Sequence, residues 1–101
     1  MEKVYKAIRY DSDQSWEISI HKSYQGALKS LSTERVKVIS EIKNIIETEL
    51  KFYEIHNIPT AQRTRELNSY NNWIRDFESA RINDWSNDYA TLIIEEVKLE
   101  D

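Results

Sequence analysis

The chain contains no cysteine, which excludes a disulfide framework, a zinc–thiolate site and a cysteine nucleophile, and fits a reducing compartment. One glycine and one proline in 101 residues leave almost nothing from which to build flexible linkers, so order is expected nearly end to end. The opening MEKVYKAIRY has no apolar run behind a basic region, so no secretory leader is expected. No stretch approaches the roughly 18 consecutive apolar residues that read as a membrane span. A cytoplasmic, soluble protein is the expectation. The histidines are two, His21 and His56, with no HxxxH or HxxE pair. A metal site needs further ligands close by, so neither a metal nor a cofactor is expected. GxSxG, Walker, HExxH and DxDxDG motifs are absent, and the chain reads as a non-enzyme.

What is present is the composition of one globular domain, 40% hydrophobic, 32% charged and 11% aromatic, at a length that supports a modest core. The formal net charge is −4. That balance argues against a phosphate-backbone binder, which needs a basic face.

Val4 to Tyr10 is β-branched and aromatic and reads as a strand. Asp11-Ser12-Asp13-Gln14 makes a turn, and residues 16–21 alternate with period two. The alternation sends Trp16, Ile18 and Ile20 to a core and Glu17, Ser19 and His21 to the other side. Ser23 reads as a helix N-cap. From there Tyr24, Leu28, Leu31, Arg35, Val38, Ile42, Ile45, Glu49, Phe52 and His56 follow an unbroken four–three spacing. That is a heptad seam, and Ala27, Ile39, Ile46 and Tyr53 widen it. One helix is expected over 23–56, too long for a compact domain of this size. Asn57-Ile58-Pro59-Thr60 breaks it, and Arg63, Leu67, Tyr70, Ile74, Phe77 and Arg81 repeat the spacing in a second helix over 59–82. A short connection makes the two antiparallel. Folding them together pairs Glu49 with Tyr70 and Arg35 with Asp84, the four polar residues expected to set the register. Residues 83–88 read as a polar exit loop and 90–99 as a closing strand. The expected fold is α+β in the order ββααβ, a three-stranded sheet packed on a long, coiled-coil-like helical hairpin, all in one domain.

The chain's ends carry a resemblance. Tyr5 to Tyr10, Trp16-Glu17-Ile18, His21-Lys22-Ser23 followed by Ala27, and Ile93 to Leu99 with an acidic tail resemble the hairpin, Ser-capped helix and closing acidic strand of small phage-encoded accessory proteins. An Ile-, Lys-, Glu- and Asn-rich composition suits such a source. The resemblance implies an accessory role in a host cytoplasm, in a class that includes anti-CRISPR and other inhibitors of bacterial defence. It transfers no functional residue.

The first expectation is therefore a protein-binding module whose partner is a host defence or nucleic-acid-handling protein. Its candidate surface is Arg65, Trp73, Arg75 and Arg81, since exposed Trp and Arg are enriched at binding hot spots. Nucleic acid itself is disfavoured there, because Glu66, Asp76, Glu78 and Asp84 neutralise the helix locally. Two alternatives stand beside it. One is a self-associating structural protein, a homodimer joined through the widened stripe. The other is a small-ligand or nucleotide-binding protein with a cleft between sheet and helices.

Overall fold

A computed structural model describes residues 2–100; Asp101, the last residue of the acidic tail, lies outside them. Strands β1 (Lys3–Tyr10) and β2 (Ser15–His21) are followed by helices α1 (Tyr24–His56) and α2 (Thr60–Glu78), a 3-10 turn (Ile82–Asp84) and strand β3 (Thr91–Lys98). The fold is α+β with one antiparallel sheet in the order β2-β1-β3.

Local chemistry places the helix ends where the residue types require them. The Ser23 hydroxyl accepts from the Gly26 amide at 3.1 Å, satisfying one of the four amides a helix start leaves free. Asn57 closes α1 in the left-handed region at φ 51°, which asparagine tolerates better than most residues. Pro59 then stands as the N-cap of α2. The second helix ends at Glu78, four residues short of the expected 82, because Ser79 turns to an extended conformation. Arg81 therefore lies outside it. Thirty-three residues make α1 roughly 50 Å long, and the molecule measures 63 × 25 × 16 Å. Its radius of gyration is 17.1 Å, against about 13 Å for a compact chain of this length. The distal hairpin projects from the sheet end.

The core joins Ala7 and Leu92 of the sheet to Leu31, Val38 and Ile42 of α1, Ile74 and Phe77 of α2, and Trp85 and Ala90 of the connecting loop. Two expectations are overturned here. Trp16 is 38% exposed and Ile20 more so. For Ile20 the cause is a β-bulge: Ala7 pairs with Ser19 but Ile8 pairs with Glu17, leaving Ile18 as the extra residue. A one-residue insertion inverts the strand's faces beyond it. Ile20 turns out with its partner Lys6, while Ser19 and His21 turn in toward α1. There the His21 Nε2 lies 2.8 Å from the Ser19 hydroxyl and 2.9 Å from that of Ser30 on α1. Trp16 stays on the helix side, at the sheet's margin.

The second correction concerns the hairpin seam. Tyr53, not Phe52, is buried between the helices, and Phe52 is exposed. Buried Leu31, Ile42 and Tyr53 are eleven residues apart, a spacing of about 3.67 residues per turn that a nearly straight helix satisfies. A strict heptad drifts by about 20° per repeat on such a helix, so three repeats carry Phe52 off the seam.

The inward His21 also explains Gly26. A β-carbon there would stand 2.9 Å from His21 Nδ1 and 3.1 Å from the Ser23 hydroxyl. Replacing helical glycine by alanine ordinarily stabilises by about 0.5–1 kcal/mol. Gly26→Ala is expected to forfeit that gain and lose roughly 1 kcal/mol, because the imidazole it displaces is held by two serines. Urea denaturation measures this, and a stabilised Gly26→Ala protein would show that His21 yields freely.

Candidate functional surface

The largest buried polar assembly ties the sheet to α1. Arg9, almost fully buried, donates from Nη1 to Glu34 Oε1 at 3.0 Å, from Nη2 to Glu41 Oε1 at 2.7 Å and from Nε to Asp11 Oδ1 at 3.0 Å. The Tyr89 hydroxyl donates to Glu41 at 2.6 Å, and the Trp16 ring covers the guanidinium at 5.0 Å. The Arg9 bonds hold the Glu41 carboxyl below the usual carboxylate range; burial opposes them and the Tyr89 bond assists. Burial, followed by the bond to Glu41, pushes the Tyr89 phenol up to about 12. Three carboxylates converge here, yet all are spent on one arginine, and the cluster works as a clamp between β1 and α1. Sequence reading passed over it, though Glu34 and Glu41, seven residues apart on one helix face, were its visible signal.

The register residues form different pairs from those expected. Tyr53, not Tyr70, donates its hydroxyl to a carboxylate, that of Glu66. Tyr70 is raised by burial and then by nearby Glu49 and Glu66, with no hydrogen bond to Glu49 among the described contacts. The slip from Phe52 to Tyr53 on the seam brings the phenol of α1, instead of that of α2, to the polar position. Arg35 does not pair with Asp84 directly. Its Nη1 donates to the Ser79 carbonyl at 3.0 Å, its guanidinium lies 4.6 Å over the Trp85 ring, and the Ser79 hydroxyl donates to Asp84 at 2.8 Å. Ser79 therefore links the two.

The candidate binding residues are scattered. Trp73 is half-buried, stacked on Tyr89 at 5.7 Å and edge-on to Tyr70 at 5.4 Å. Arg65, Arg75 and Arg81 are exposed. Two residues apart on α2, Trp73 and Arg75 project about 200° from each other, so the structure does not gather them into one patch.

Another surface stands out. The α1 face that carries Glu34 to Arg9 returns, eighteen residues and five turns further, at Phe52, with Ile45 and Ile55 to either side of it. The strands cover only the first half of this face. Beyond it Phe52 is exposed, its ring tilted against that of His56 with centroids 4.3 Å apart, and Ile55 is 73% exposed. The result is an apolar ridge at the hairpin tip. Among the described residues no helix is long and apolar enough to cross a membrane. No protein-family model, curated protein or solved structure matches this chain.

Proposed function

We propose that this chain is a non-enzymatic protein-binding module that presents the tip of its helical hairpin to a partner protein. The observation that carries the reading is the bare continuation of the sheet-bearing face of α1, where Phe52 and Ile55 stand in solvent on a helix long enough to hold them away from the body. Large apolar side chains clustered on a projecting helix are what a partner's apolar groove takes in helix-in-groove recognition, read as anchors three and four residues apart. Phe52, Ile55 and His56 have that spacing. The resemblance of the chain's ends to small phage-encoded proteins supports a finer reading, an inhibitor that occupies a host defence protein.

The test is capture from a bacterial lysate by the wild-type protein beside Phe52→Asp/Ile55→Asp. Both positions are exposed, so the variant is expected to keep the wild-type helical circular dichroism and unfolding midpoint. A stoichiometric partner held by the wild type and lost by the variant is the expected result. A partner retained equally by both would remove the tip from consideration, and no partner at all would remove the binding reading.

A further inference from the structure

A different face of the hairpin points to a second copy of this chain. On the side of α1 away from the sheet, Val36, Ile39, Lys43, Ile46 and Leu50 follow a three–four spacing of their own. Val36 is 62% exposed and Leu50 is also exposed, while Ile39 and Ile46 are half-buried against the core. The stripe is separate from the tip ridge, and its Val36, Lys43 and Leu50 are exposed.

We infer that this stripe is the interface of a symmetric, antiparallel homodimer in which two hairpins pack back to back as a four-helix bundle. Two properties select a second copy as its occupant. The first is self-complementarity, which a two-fold interface demands because the same patch must face itself. The apolar residues lie nearly symmetrically about Lys43, with Val36 and Leu50 seven residues to either side and Ile39 and Ile46 four and three. Reversing one helix over the other places Val36 against Leu50 of the second copy and Ile39 against its Ile46.

The second is charge. Lys29 lies toward the start of the stripe's flank, and Glu47 and Glu54 lie toward its end. The antiparallel pairing brings Lys29 within a turn of Glu54 of the second copy and Lys43 within a turn of its Glu47. A parallel pairing sets every charge against its like, whereas the antiparallel one does so only at Lys43 beside the axis, where Glu47 of each copy lies within a turn.

The antiparallel dimer points its two tips in opposite directions, so it presents two partner-binding ridges without covering either.

The experiment uses the full chain and exploits its lack of cysteine. Sedimentation equilibrium from micromolar to millimolar is expected to show a dimer. Lys29→Glu or Glu54→Lys alone is expected to weaken it about tenfold, and the double exchange to restore it, because each swap alone sets like charges together. A thiol placed by Lys43→Cys, next to the two-fold axis, is expected to oxidise to a covalent dimer. One placed by Val36→Cys is not, since its own copy lies about 14 residues, roughly 21 Å, along the helix. A strict monomer throughout overturns the inference. So does cross-linking through Val36→Cys in preference to Lys43→Cys, or a dimer unaffected by Val36→Glu/Leu50→Glu, which sets carboxylates against each other across the axis. Because Val36, Lys43 and Leu50 lie off the tip, loss of the dimer through them and loss of partner capture are separate results.

Discussion

Replacing Arg9 by methionine is expected to remove about 3–5 kcal/mol of stability, the cost of leaving a buried carboxylate without its partner. Few single changes at a polar position cost so much, and the geometry says why this one does. Arg9 and Glu34 are both buried, and the guanidinium supplies bonds to Glu34, Glu41 and Asp11 at once. Methionine fills the space and offers none of them. Against a typical total of about 5–15 kcal/mol for a domain, the loss puts the variant near unfolding, with a midpoint lowered on the order of 20 °C.

The comparison that isolates the effect is Arg9→Met/Glu34→Leu. Removing the stranded carboxylate as well is expected to recover a large part of the loss. A double variant no more stable than Arg9→Met would show that the arginine acts through packing alone. The pH profile supplies a second readout. Glu41 is held below the unfolded carboxylate value of 4.5 chiefly by Arg9. Its contribution is therefore complete above that value and is lost as pH falls through the lower, folded one. Wild type is expected to shed stability below about pH 4.5 more steeply than Arg9→Met, whose Glu41 has no guanidinium to lose.

The long helices were legible because their signal repeats. Apolar spacing over 33 residues in α1 leaves one arrangement, and Ser23 and Asn57-Ile58-Pro59 mark its limits through local hydrogen bonding and backbone preference. What failed to show was whatever depends on a single residue of phase. The bulge at Ile18 inverts half of β2, and nothing in WEISIH announces it, since its strict alternation of apolar and polar residues reads as one uninterrupted phase. The 3.5-residue repeat and a straight helix differ by too little to separate Phe52 from Tyr53 over one or two turns, yet they diverge by the tip. The apolar ridge at the tip was missed for the same reason: with Phe52 assigned to the seam, Ile55 stood there alone. Arg9 was missed because a lone arginine in a strand reads as surface. Only the fold shows two carboxylates of α1 opposite it.

The tryptophans give the sharpest exchange between expectation and structure, and a second large effect follows from it. Trp85, set in the polar run Asn83-Asp84-Trp85-Ser86, is 3% exposed. Its indole N–H donates to the Ser79 carbonyl at 2.7 Å, and Arg35 lies across its face. One indole thus closes the core beneath the α2–β3 connection and anchors the point where that helix ends. Trp85→Ala is expected to cost about 3–5 kcal/mol, the transfer energy of the ring plus the cavity it leaves. Trp16→Ala removes a ring at the sheet's margin and its contact with Arg9, and is expected to cost about 1 kcal/mol or less. Urea denaturation of the two variants orders them directly. Should Trp85→Ala fail to fold, Trp85→Phe keeps most of the ring and gives up the N–H bond. Its expected loss is about 1–2 kcal/mol, still above that of Trp16→Phe. Equal losses at the two positions would mean that the loop indole does not hold the core, and that the α2–β3 connection is fixed by Arg35 and Ser79 alone.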